Sequence, residues 1–171
     1  MSLDTIEQAI ISKVISKVVS CPKEPMEIPG IDGLGAGTIY VTGDCLGTIM
    51  ELPVPLSGII YSATLWDLDY EAKQIDLEIF KHSITQIADH DPWAPTDADI
   101  LKFVTEIAFV AFDSHVNSYT SEVTNIGKAY SAPEGKFWIQ AVQRLAPTIA
   151  AGAIPKFQLQ IIPDDPNWQE R

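Results

Sequence analysis

Residues Gln74-Ile75-Asp76-Leu77-Glu78-Ile79-Phe80 alternate polar and apolar side chains almost without a break, and this period of two is the strongest constraint the chain places on its own fold. Side chains two apart share a face on a strand but fall on nearly opposite sides of a helix. The run therefore predicts a half-buried strand with Ile75, Leu77 and Ile79 inward and Asp76 and Glu78 outward on a solvated face. Lys156 to Ile162 repeats the pattern with Phe157, Leu159 and Ile161 inward. Gly58 to Asp67 puts Ile59, Tyr61, Ala63 and Leu65 on one face and Ile60, Ser62, Thr64 and Trp66 on the other. Tyr40 to Met50 is punctuated by Gly43-Asp44 and Gly47, where a turn or bulge would sit. It reads as the strand partner of residues 58–67, which in turn read as a hairpin with residues 74–80.

Further strand material follows. Glu106 to Phe112 is nearly continuous apolar sequence, a buried strand by composition. Residues 118–124 and 125–130 read as one strand split by a bend, and Lys136 to Val142 is aromatic-rich and strand-like, its run to Leu145 also admitting a short helix. Between them, Pro95 precedes Thr96-Asp97-Ala98-Asp99, a capping box that starts a short helix, with two carboxylates placed to complement its dipole. Seven to eight strands with one inserted helix predict a mainly β fold, an antiparallel two-sheet sandwich of jelly-roll type over residues 38–165, with a tail at 166–171.

The front of the chain has a different period. Apolar doublets at 10/11, 14/15 and 18/19 recur every four residues, which predicts an amphipathic helix or arm over residues 1–20. Its large apolar residues from Ile6 onward are all β-branched, so the helix would be marginal alone and needs a surface to lie on. That surface is either its own domain or, if the segment is an arm, another subunit, and in the second case Ile6, Ile10, Val14 and Val18 are the candidate contacts. Residues 21–37 hold Pro22, Pro25, Pro29 and four glycines and read as a linker. The glycines at 33, 35 and 37 precede a strand rather than a helix, which removes the geometry of a phosphate cradle.

With 11 basic against 23 acidic residues the formal charge is −12, which sets the chain against bare nucleic acid and anionic membrane surfaces. Lys13 and Lys17 interrupt the first aliphatic run, so neither a signal peptide nor a membrane span is expected. Cys21 and Cys45 have no metal or redox spacing, and Cys45 reads as a small buried hydrophobe with a free thiol. His82, Asp89, His90, Asp91 and Asp97 cluster in sequence and raise a metal site, but they lack the spacing of an EF-hand or a His-x-His motif. No serine, cysteine or threonine sits in a nucleophile elbow. No catalytic constellation and no cofactor is expected.

Taken in order, Tyr40-Val41-Thr42-Gly43-Asp44-Cys45-Leu46-Gly47, Gly58 to Asp67, Ile75 to Phe80, Ile84 to Asp91 before Asp97-Ala98-Asp99, then Tyr130, Trp138 and Phe157 to Ile161 resemble a group of small structural proteins of tailed bacteriophages. The likeness spans roughly residues 40–165. It implies a virion location after assembly in the host cytoplasm, and a capsid decoration or cement role rather than an enzyme. The expected partners are the major capsid protein and further copies of the chain in a homotrimer, with Trp93 added to the candidate contacts; neither nucleic acid nor membrane is a partner. The alternative expectation is a carbohydrate- or host-surface-binding module of a tail or fibre, working through Trp66, Trp93 or Tyr70. Residues 1–37 fall outside the resemblance.

Overall fold

The computed structural model describes residues 17–32, 40–150, 152–165 and 167–168. The elements are β1 (Val19–Glu27), β2 (Cys45–Pro53), β3 (Ser57–Asp67), β4 (Ile75–Phe80), α1 (Asp97–Ile100), β5 (Phe103–Phe109), β6 (Asp113–Ser114), β7 (Tyr119–Val123), β8 (Lys128–Ser131), β9 (Lys136–Gln143) and β10 (Lys156–Pro163). They form two antiparallel sheets, one ordered β1-β10-β3-β7-β6 with β8 also paired to β3, the other β2-β9-β4-β5.

Strands β7 and β8 take up successive halves of β3, with Val123 opposite Ala63 and Lys128 opposite Ile60. The bend between them is made by Asn125 and Gly127 in the left-handed region, at φ 56° and 64°. They are one strand interrupted, as residues 118–130 predict. With that strand counted once and the two-residue β6 set aside, the strands renumber as 1-8-3-6 facing 2-7-4-5, the order of a jelly roll. The expected sandwich is present.

Its pairings differ from the sequence reading. Residues 45–53 and 57–67 are in opposite sheets, and so are 57–67 and 75–80, so neither predicted pair exists as a hairpin. In this jelly roll β2, β3 and β4 alternate between the sheets, and their partners lie far along the chain: β2 and β4 pair β9, and β3 pairs β10. Local alternation reveals a strand but not its neighbour.

The two inner faces meet in a core that includes Leu52, Ile60, Leu65, Leu77, Ile107, Phe109, Phe137, Phe157, Leu159 and Ile161, all almost fully buried. The inward sets predicted for residues 75–79 and 157–161 are the ones observed. Cys21 and Cys45 are both buried, and no disulfide joins them. Burial, then the nearby carboxylates of Asp44, Asp89 and Asp91, push the Cys45 thiol up to about 12, which makes it inert at neutral pH.

Residues 21–37 are not simply a linker. Residues 19–27 form β1, paired to β10 from Val19 opposite Ile161 to Glu27 opposite Lys156. Pro22 and Pro25 are tolerated because β1 is an edge strand and its register shifts between Cys21 and Met26. The Gln158 amide bridges that irregularity by donating to the carbonyls of Pro22 and Lys23, each at 3.0 Å. The helix expected over residues 1–20 lies almost wholly outside the described residues, and Val19 and Ser20 belong to β1. In the tail, Trp168 packs against the core and its carbonyl accepts from Lys17 Nζ at 3.1 Å.

Candidate interaction surface at an open sheet edge

Strand β5 ends the four-stranded sheet, pairing β4 on one side, with no strand on its other side among the described residues. Natural edges are usually blunted by lysine, proline or a bulge that turns the strand away. The sequence Phe103-Val104-Thr105-Glu106-Ile107-Ala108-Phe109 carries neither lysine nor proline, although the pairing does shift between Ile79 and Phe80. The adjoining turn adds exposed apolar area. Leu101 is 82% exposed and Ile100 51%, and at the far end of β5 Val110 is 65% exposed.

The helix α1 sets that turn. The Thr96 hydroxyl donates to Asp99 Oδ2 at 2.8 Å while the Asp99 amide donates back to Thr96 Oγ1 at 3.2 Å, and Lys102 Nζ donates to Asp99 Oδ1 at 2.9 Å. The Lys102 ammonium, followed by the Thr96 hydroxyl, holds the Asp99 carboxyl well below the usual range even though burial works against it. With Asp99 turned in, the next residues, Ile100 and Leu101, face out. Phe103 makes the return, its ring edge-on to Phe80 at 5.6 Å.

Behind this edge, on the sheet face turned away from the core, three carboxylates converge on one guanidinium. Arg144 donates from Nε to Asp76, and from Nη2 to Glu78 Oε1 at 3.1 Å and Glu106 Oε2 at 3.2 Å. Glu78 and Glu106 are directly opposite in the β4–β5 register. The Asp76 and Glu78 side chains are only 3% and 9% exposed, so the solvated face expected for them is a buried polar cluster instead. Arg144 covers these carboxylates, which the alternation of β4 alone does not reveal. Burial first, then the charge of Glu106, raises the Glu78 carboxyl to about 7, with Arg144 opposing. Sequence reasoning missed Glu106 and Arg144. The available signals were Glu106 as the lone charge beginning an apolar run, and Arg144 as the only arginine before the last residue.

The residues raised as metal ligands do other work. Asp89 accepts from the Tyr40 hydroxyl at 3.0 Å, the Gly47 amide at 2.6 Å and the Asp32 amide at 2.7 Å, tying three separate segments together. His90 stacks on Tyr40 at 3.9 Å between ring centroids. His82 pairs with Glu134 at 2.7 Å, and Asp97 belongs to the first turn of α1. Among the described residues no three His, Cys, Asp or Glu side chains are grouped to hold a metal ion.

Of the predicted contact residues, Ile6, Ile10 and Val14 lie outside the described residues. Val18 is 46% exposed just before β1, at the opposite end of the sheet order from β6 and β7. Trp93 is half-buried, edge-on to Phe80 at 6.1 Å, and its amide donates to the Gly43 carbonyl at 2.7 Å. It anchors the 81–102 excursion. Of the aromatics considered for sugars, Trp66 is half-buried on β3, while Tyr70 is 47% exposed and stacked on Tyr119 at 4.5 Å. The Tyr70 loop is fixed by the Asp67 carboxylate, which accepts from the amides of Asp69, Glu71 and Ala72.

Searches of family models, curated proteins and solved structures find no match for this chain.

Proposed function

We propose that the chain is a non-enzymatic virion structural protein, a decoration or cement protein that docks on the assembled head of a tailed phage, bound to the major capsid protein and to its own copies in a trimer. The observation that carries this reading is the open β5 edge, without lysine or proline, with its apolar turn, Ile100, Leu101 and Phe103, presented by a well-packed jelly roll. Such an edge offers backbone hydrogen bonds and side-chain anchors to a neighbouring surface. The −12 charge suits a protein that must stay soluble at high copy number before docking. Stabilisation of the shell would follow from mass action, because the protein binds the assembled state preferentially. Residues 1–20, with Ile6, Ile10, Val14 and Val18, form a second contact in this reading.

The test is co-sedimentation with empty phage heads. Leu101→Glu should release the protein from heads while its circular dichroism and melting stay unchanged, and deletion of residues 1–20 should weaken binding without loss of the β signal. Full binding by both variants would refute this reading. The second reading, a host-glycan module, is favoured by one observation, the exposed Tyr70 ring on its carboxylate-locked loop. Glycan-array binding that Tyr70→Ala removes would select it.

A further inference from the structure

We propose that Glu78 and Glu106 form a proton-operated clasp on the open edge, holding β5 against β4 while they share one proton and loosening the edge strand when that proton leaves. The clasp rests on the geometry of β4 and β5, and its consequence for docking rests on the reading of β5 as the docking edge.

The charge count sets the problem. Asp76, Glu78 and Glu106 face a single cation, and Arg144 already spends Nε on Asp76 and Nη2 on both glutamates. With all three carboxylates ionised the cluster carries an excess of two negative charges, and the two glutamates lie directly across a strand pair, where like charges push the strands apart. One proton changes this. The Glu78 hydroxyl then donates to the Glu106 carboxylate, a charge-assisted bond across β4 and β5, and the excess falls to one.

The other groups around Glu78 do not remove the need for that proton. The charged neighbours acting on it are Glu106 from β5, Arg144 from beyond β9 and Asp76 from its own strand. Its cross-strand neighbour on β9 is neutral Gln140, fully buried, whose amide nitrogen donates to the carbonyls of Leu46, Gly47 and Ala141. The Gln140 Oε1 has no hydrogen-bond partner. Gln140 therefore brings no charge that could offset an ionised Glu78. Burial of Glu78 and the near-neutral position of its carboxyl place the change where cells and their surroundings vary in pH.

The asymmetry of the pair directs the effect. Glu78 is on an inner strand held on both sides by β5 and β9, whereas Glu106 is 44% exposed on a strand that, among the described residues, is held on one side only. When repulsion appears, β5 is the strand that yields. In the docking reading, the edge that binds a neighbour is thereby firm at mildly acidic pH and looser at alkaline pH.

Hydrogen exchange on the isolated full-length protein tests the clasp. Between pH 6 and 8.5, after correction for intrinsic exchange, amides of residues 103–109 should lose roughly fivefold or more in protection, while those of β10 change little. Glu106→Gln should flatten that loss. A carbon-detected NMR titration of the Glu78 carboxyl serves as the second readout if the variant folds poorly, with a midpoint near neutrality expected in the unmodified protein. Protection of β5 that does not vary with pH, or a Glu78 midpoint in the ordinary glutamate range, overturns the clasp. Head binding at pH 6 and 8.5 separates the two ideas, because a clasp seen by exchange without any head binding removes only the docking reading.

Discussion

At the scale of single residues, two carboxylates with buried side chains do opposite work. Asp89 is almost wholly buried and accepts hydrogen bonds from Tyr40, Gly47 and Asp32, so its removal strands two amides and a hydroxyl. Asp89→Ala should cost on the order of 2–4 kcal/mol in urea unfolding, and Asp89→Asn less, because one acceptor oxygen remains. Glu78 works against stability at alkaline pH. Its carboxyl titrates at about 7 in the folded protein against an ordinary 4.5, so the folded state holds the extra proton between those values. Stability from this group is complete below about pH 4.5 and is lost as pH rises through 7, by at most on the order of 3 kcal/mol. Glu78→Gln should therefore unfold at nearly the same urea concentration at pH 5.5 and 8, where the unmodified protein weakens. Asp99 has the opposite sign. Its depressed carboxyl contributes stability above the usual carboxylate range and loses it as the medium becomes strongly acidic.

At the scale of elements, backbone geometry decides which substitutions the strands accept. Gly47 interrupts β2 at φ 67°, and a Cβ there would lie 2.2 Å from the Pro29 carbonyl oxygen, so Gly47→Ala should destabilise by about 2 kcal/mol or more in thermal melts. The glycine was legible in the sequence as a bulge, because it broke an otherwise apolar run. The inward faces of β4 and β10, the split in β7–β8 and the Thr96–Asp99 cap were legible for the same reason, since each is fixed by residues within a few positions of one another. Pairing was not legible. Which strand lies beside β3 depends on Phe157 to Ile161 about a hundred residues away, and no local pattern encodes that choice. The candidate site was hidden likewise: Asp76, Glu78, Glu106 and Arg144 meet only after three strands have been brought together, and Pro22 and Pro25 masked β1 because an edge strand excuses them.

At the scale of the whole molecule, the jelly roll leaves its chemistry on the outside. The core between the sheets is apolar, and the four-stranded sheet ends at β5 in an open edge beside a cluster short of positive charge. A substitution at a residue as exposed as Leu101 should move stability by less than about 0.5 kcal/mol, so any loss of particle binding in Leu101→Glu reports the surface rather than the fold. The measurement closest to the central claim is electron cryo-microscopy of purified phage particles assembled in cells that produce the chain. Density for this jelly roll repeated across the head lattice, with β5 and the Ile100–Leu101 turn against the shell, is the expected result. A handful of copies confined to the tail, or none on the particle, would contradict it.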